Sequence, residues 1–199
     1  MSIDLFEHNR QAYDSACEML SVTGKACVVH PTGTGKSFIG FKLCEDNPEK
    51  TVCWLFPFDY IFRTQLENLA ASTNGYQPEN ISFFTYAKLM NMTDSEIEAI
   101  KPDYIILDEF HRCGAQQWGE GVQRLLNAFA DVPVLGLSAT AIRYLDDQRD
   151  MSQELFDGCI DTGRGNSSWH TCSAEICAFG IFLSKKPVKV RSPHQAGKI

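Results

Sequence analysis

The segment HPTGTGKS, residues 30–37, combines residue types that bind phosphate. Gly33 and Gly35 permit a tight turn whose backbone N–H groups point inward, and Lys36 can reach the outer phosphates of a nucleotide. Ser37 supplies a hydroxyl ligand for Mg²⁺. The general pattern G-x-x-x-x-G-K-[ST] begins with glycine, whereas this segment begins with a histidine. The spacing predicts a nucleotide site, and the alternative is a glycine-rich turn with an exposed lysine.

A second polar group ends the apolar segment DYIILDEFHR, residues 103–112. Asp108 and Glu109 put two carboxylates at the carboxyl end of a predicted strand, where open α/β sheets bind their ligands. The aspartate can hold Mg²⁺, usually through water, and the glutamate can accept a proton from an attacking water. The alternative is a polar strand end exposed to solvent. We therefore expect Lys36, Asp108 and Glu109 to be the catalytic residues.

Five short apolar runs predict the strands that carry these groups. They are KACVVH (25–30), TVCWLF (51–56), NISFFTY (80–86), DYIILDEF (103–110) and VPVLGLSAT (132–140). The segments between them have helical patterns, at 37–44, 60–71, 86–90, 93–100 and 116–130. Apolar strands separated by helices are typical of a parallel sheet covered on both faces. Thr93 and Glu96 form a predicted capping box, and Pro102 ends that helix.

The charge distribution limits how the chain can bind nucleic acid. The formal charge is −7, and residues 1–158 hold 12 basic and 23 acidic side chains. A domain this acidic does not bind a strand through a broad basic face. Any such contact must use backbone amides, hydroxyl groups and a few arginines.

The composition predicts a cytoplasmic protein that does not enter a membrane. No run approaches the roughly 20 apolar residues that span a bilayer, and the N-terminus has no basic segment followed by an apolar one. Five of the eight cysteines have no paired spacing, which favours buried free thiols. The segment CSAEIC, 172–177, offers two metal ligands, but no second pair at zinc-ribbon spacing accompanies it.

Three motifs in order give the chain a resemblance to a known family. PTGTGKS (31–37), DEFH (108–111) and SAT (138–140) resemble motifs I, II and III of the superfamily 2 DEAD/DEAH-box helicases, including the helicase subunits of type III restriction enzymes. In that family motif I does not require the first glycine, so a histidine at position 30 is tolerated. The resemblance implies a three-layer RecA-like P-loop NTPase domain with a mainly parallel central sheet, which binds ATP and Mg²⁺.

The resemblance also assigns residues to roles. The residues that it implies for nucleotide binding are Gln11, Thr32, Gly33, Thr34, Gly35, Lys36 and Ser37, with Ser37 and Asp108 on Mg²⁺. Gln11 lies in HNRQAYD, where a glutamine reads adenine, and an exposed glutamine at a helix start is the alternative. His111, Ser138 and Thr140 are implied to couple the two ligand sites.

The nucleic-acid contacts come from two weaker matches. LFPFDYIFRTQL (55–66) resembles motif Ia, which makes Pro57, Phe58 and Arg63 candidates for contact with a DNA or RNA strand, although Phe58 can equally be a core residue. FTYAKL (84–89) resembles the segment near motif Ib, with Thr85 suited to donate to a phosphate.

The resemblance covers residues 8 to 157 and predicts a helicase ATP-binding domain at 1–158. Such lobes normally face a second RecA-like lobe, for which no motif is seen in this sequence. Residues 159–199 form an irregular tail, and we interpret it as a family sequence read in a shifted frame. Allowed codons for 160–187 can be read one base out of frame as LTLGEAIRRGILAAPKYVLSVFSYQKSL, which has a helical and then a strand-like pattern.

Three functions are consistent with these motifs. The first is the ATP-binding lobe of an ATP-dependent helicase or translocase, which we expect to be weak or inactive by itself. The alternatives are a P-loop ATPase that does not move along nucleic acid, and an inactive nucleotide-binding fragment.

Overall fold

The computed structural model describes residues 3–144 and 148–156, except for the side chains of residues 116 and 117. Five strands form a parallel sheet in the order β1-β5-β4-β2-β3. They are β1 Lys25–Val29, β2 Val52–Phe56, β3 Ile81–Thr85, β4 Tyr104–Asp108 and β5 Val134–Ser138. All five predicted strands and the parallel sheet are therefore confirmed. Because the strands are parallel, the residues that follow them meet at one edge of the sheet.

Helices cover both faces of this sheet and give the predicted three layers. They are α1 Glu7–Thr23, α2 Lys36–Asp46, α3 Asp59–Ser72, α4 Tyr86–Asn91, α5 Asp94–Glu98 and α6 Gln116–Ala128. Helices α1, α2 and α3 pack on the face that carries Val28 and Trp54, whereas α4, α5 and α6 pack on the face that carries Cys27 and Leu55. Neighbouring strand residues thus enter opposite cores, as the period of a strand requires.

Local signals in the sequence have the expected effect on the helices. The predicted capping box is present at α5, where Thr93 Oγ1 accepts from the Glu96 amide and the Glu96 carboxylate accepts from the Thr93 amide.

Of the cysteines in the described residues, four are buried free thiols and Cys17 is partly exposed. None of the described helices combines the length and apolarity that crossing a bilayer requires.

The sequence patterns did not predict the segment after the fifth strand. It forms a short antiparallel pair, β6 Ile142–Arg143 with β7 Arg149–Asp150, followed by α7 Met151–Leu155. Phe156 is 1% exposed and packs edge-on against Phe110, with ring centroids 5.1 Å apart. A Cβ at Gly136 would lie 2.4 Å from the Phe156 ring, so the strand must carry glycine there. The predicted tail at 159–199, including CSAEIC, lies outside the described residues.

Candidate nucleotide site and nucleic-acid face

The phosphate loop joins the end of β1 to the start of α2. Gly33 has a φ of 85° and Gly35 a φ of 81°, in the left-handed region that a side chain disfavours. The turn therefore needs both glycines and leads directly into α2, whose first residue is Lys36. Lys36 is only 9% exposed. Backbone N–H groups at a helix start, with a lysine beside them, are suited to bind phosphate.

His30 lies under this loop and not on its surface. It is 3% exposed, and its Nδ1 lies 3.1 Å from Oδ1 of Asn9 on helix α1. Asn9 in turn donates from Nδ2 to the carbonyl oxygen of Thr34, at 2.8 Å. Burial, together with the charges of His8 and Lys36, lowers the pKa of His30 to about 4, so the imidazole is neutral at pH 7. The residue that replaces the first glycine of the pattern therefore links the loop to α1.

The sequence did not predict a role for Asn9, and Gln11 was the candidate from the same segment. Gln11 is exposed on α1, and its amide donates to the carboxylate of Glu7 at 2.8 Å. Its contact with adenine stays a prediction. Asn9 lies two residues before Gln11 in EHNRQ, and its role becomes visible only from the packing of α1 against the loop.

The acidic motif ends the neighbouring strand β4. Asp108 is 3% exposed, and its carboxylate accepts from Gln65 Nε2 at 3.1 Å and from the backbone N–H of Glu109 at 3.0 Å. Burial raises the pKa of Asp108 to about 6, although the hydrogen bond from Gln65 and the charge of Lys36 act in the opposite direction. The lysine charge therefore influences this carboxylate, as a shared phosphate and metal site requires.

Glu109 lies in a network with the other two motifs. Ser138 Oγ donates to Glu109 Oε2 at 3.1 Å and accepts from the backbone N–H of Thr140 at 3.3 Å. His111 Nδ1 lies 2.8 Å from the same Ser138 oxygen, and since that hydroxyl donates to Glu109, the imidazole Nδ1–H is the donor. The structure thus brings together His111, Ser138 and Thr140, the three predicted coupling residues, around one carboxylate.

Two properties of Glu109 suit it to act on water. Burial raises its pKa, but the His111 imidazole, whose Nδ1 also lies 3.3 Å from Glu109 Oε2, and the charge of Lys36 outweigh burial and hold the pKa below its ordinary value. The carboxylate is therefore ionised at pH 7 and can accept a proton. Its backbone has a φ of 52°, in the left-handed region that non-glycine residues rarely adopt and that is found often at functional sites.

The residues present fit Mg²⁺ and the phosphates of a nucleotide. Mg²⁺ prefers oxygen ligands and keeps several waters, and the site offers the Ser37 hydroxyl and the Asp108 carboxylate. Beside Asp108, Gln65 Oε1 is buried with no hydrogen-bond partner among the described residues. A water on the metal would donate to that oxygen and satisfy it.

The four candidate nucleic-acid residues line one cleft at the ends of β2 and β3. The cleft has a volume of about 510 Å³ and is lined by Pro57, Phe58, Asp59, Tyr60, Arg63, Thr85, Ala87 and Trp118. Thr85 Oγ1 accepts from the Lys88 amide at 3.0 Å, so its hydroxyl proton can still be donated to a ligand. Phe58 is 42% exposed and belongs to this surface, so the alternative that it is a core residue is wrong.

A comparison with protein families matches residues 2–143 to the family "Type III restriction enzyme, res subunit", ResIII. The chain belongs to the ResIII family. That range includes all three motifs and the residues around the cleft. No curated protein sequence matches the chain.

Solved structures agree with the ResIII assignment at the level of the fold. The chain is similar to the Escherichia coli DEAH/RHA helicase HrpB, with a TM-score of 0.57 and 21% identity over 73% of this chain and 21% of HrpB. It is also similar to the Type ISP restriction-modification enzyme LlaGI in complex with a DNA substrate mimic, with a TM-score of 0.54 and 16% identity over 71% of this chain and 18% of LlaGI. A third match is the Sulfolobus solfataricus SWI2/SNF2 ATPase core in complex with dsDNA, with a TM-score of 0.51 and 15% identity over 69% of this chain and 32% of that core.

The ResIII chain therefore has the RecA-like fold that the motifs implied, and it is a helicase-type ATP-binding lobe. It spans between 18% and 32% of the lengths of the three similar proteins.

Proposed function

We propose that this lobe binds ATP with Mg²⁺ and couples ATP hydrolysis to contact with a DNA or RNA strand, as part of a helicase or translocase. The observation that supports this most is the network of Glu109, Ser138 and His111, which joins motifs II and III beside the phosphate loop. A loop that only bound a nucleotide would not need such a network.

The roles within the nucleotide site follow from the chemistry of each group. The loop amides from Thr32 to Gly35 and the Lys36 ammonium bind the phosphates, and Gln11 contacts adenine. Ser37 and Asp108 hold Mg²⁺, which when bound neutralises charge on the phosphoryl group. Glu109 orients the attacking water and accepts its proton.

Two contacts join this site to the cleft. Helix α3 carries Arg63 at the cleft and Gln65 on the Asp108 carboxylate. Helix α4 begins after Thr85, and the hydroxyl of Tyr86, its first residue, donates to the Asp108 backbone oxygen at 2.8 Å. A bound DNA or RNA strand that shifts either helix therefore also disturbs the groups that contact Asp108. Coupling between the two sites needs a physical connection of this kind.

The proposal includes a second RecA-like lobe as partner. In related phosphoryl-transfer enzymes an arginine supplied across an interface stabilises the charge of the transition state. We assign that function to the partner lobe and not to this chain.

An ATPase assay with and without nucleic acid tests the proposal. We expect the rate of ATP hydrolysis to increase when single-stranded or double-stranded DNA or RNA is added. Glu109→Gln should abolish this hydrolysis. Lys50→Ala serves as the control, because Lys50 is exposed and pairs with Asp103 away from the motifs. Hydrolysis that neither DNA nor RNA stimulates would instead indicate an ATPase that does not move along nucleic acid. Nucleotide binding without turnover would indicate an inactive fragment.

A further inference from the structure

Two aromatic side chains stand exposed at the cleft. Phe58 and Tyr60 stack with their ring centroids 5.7 Å apart and their planes at 12°. Phe58 is 42% exposed and Tyr60 66% exposed, so much of the surface of this pair faces solvent. Neighbouring apolar surface of this kind marks a binding site more often than a single exposed residue does.

The groups around the pair hold it in place and add positive charge. The guanidinium of Arg112 lies over the Phe58 ring, 5.5 Å from its centroid, and Trp118 meets the same ring edge-on at 6.5 Å. Phe58 is therefore fixed by contacts with the lobe, whereas Tyr60 forms the outer end of the stack. Arg63 and Thr85 line the same cleft.

We propose that the Phe58–Tyr60 pair stacks with an unpaired base of a single-stranded DNA or RNA. This inference rests on the proposed function and specifies the form of the strand. Aromatic platforms flanked by cationic side chains are a general way to hold single strands without reading their sequence. Arg63 and Thr85 bind the phosphates beside the stacked base.

The charge of the lobe favours this occupant over a duplex. Residues 1–158 hold 12 basic and 23 acidic side chains, so phosphate attraction alone is weak. Stacking supplies affinity that does not depend on net charge. It also requires a free base face, and in a duplex both faces of each base are covered by its neighbours.

The test compares two strands of equal charge on the full 199-residue chain. Fluorescence anisotropy measures the Kd of a labelled oligothymidylate and of an abasic strand with the same length and label, in the absence of nucleotide. We expect the oligothymidylate to bind about tenfold more tightly, which is the order of effect of one stacked base. The variant Tyr60→Leu should bind both strands with the affinity of the abasic one, and Phe58→Leu should act in the same direction.

Two further variants separate stacking from charge. Arg63→Ala should weaken the binding of both strands by a similar factor and keep the preference for the strand that has bases. Val22→Ala should change neither, because Val22 is 71% exposed on the last turn of α1, at the opposite edge of the sheet.

The outcomes distinguish this inference from the function on which it rests. If wild type binds both strands equally, or if Tyr60→Leu keeps the preference, base stacking at this pair is wrong, and the aromatic surface serves another contact such as a protein. If the chain binds neither strand but still binds ATP, the nucleic-acid part of the proposed function fails as well.

Discussion

Gln65 on helix α3 donates a hydrogen bond to the carboxylate of Asp108, at 3.1 Å. Two residues before Gln65, the same helix carries Arg63 at the cleft where we propose that a strand binds. Helix α3 thus contacts both sites, and the amide of Gln65 is the group through which it contacts the acidic motif.

Removal of this amide should uncouple the two sites. We expect Gln65→Ala to keep basal ATP hydrolysis within about threefold of wild type and to lose most of the stimulation by a single strand, since Asp108 keeps its other contacts. The measurement is the ATPase rate with and without the strand. Gln123→Ala, on the exposed side of α6, is the matched control. Equal loss of basal and stimulated rates would mean that Gln65 only supports the nucleotide site.

His111 should affect turnover more than binding. In His111→Ala the Glu109 carboxylate keeps the hydrogen bond from Ser138 but loses the neighbouring imidazole. We expect an ATP affinity close to that of wild type and a lower rate of stimulated hydrolysis, measured by calorimetry and by single-turnover kinetics. A loss of affinity as large as that of Lys36→Ala would contradict a coupling role.

Turnover by this chain alone should be slow. Glu109 can orient water, but an arginine supplied by a partner is worth roughly a thousandfold or more in related systems. Without nucleic acid, steady-state phosphate release from the purified chain should therefore be slow, although still measurably above that of Glu109→Gln. Rapid hydrolysis that this variant abolishes would show that no partner lobe is needed.

The buried His30 predicts a dependence of stability on pH. Its folded pKa is about 4, against 6.5 for an ordinary histidine. Between these values the unfolded chain takes up a proton that the folded chain does not, so the free energy of unfolding decreases as pH falls through this window. From pH 7 to pH 5, wild type should lose about 1 to 2 kcal/mol more than His30→Gln. Urea denaturation at both pH values measures this difference, and equal losses in the two proteins would show that His30 is protonated normally.

The sequence predicted the parts of the molecule that depend on local pattern. The five apolar runs are the five strands, and motifs I, II and III lie at strand ends because a parallel sheet brings those ends to one edge. Asn9 under the loop and Gln65 on Asp108 were not predicted, since each contact joins residues far apart in the chain, 25 positions for Asn9 with Thr34 and 43 for Gln65 with Asp108. The pairing of β6 with β7 was also missed, because two residues are too few to show a strand period.

The affinity of the phosphate loop for ATP decides whether this lobe works as a nucleotide-driven unit. Isothermal titration calorimetry with Mg²⁺-ATP should give a measurable Kd for wild type and for the control Lys50→Ala. Lys36→Ala should lose on the order of 2 to 4 kcal/mol of binding free energy, the usual effect of truncating one partner of a buried charge pair. The same affinity for wild type and Lys36→Ala would show that this loop does not hold the nucleotide.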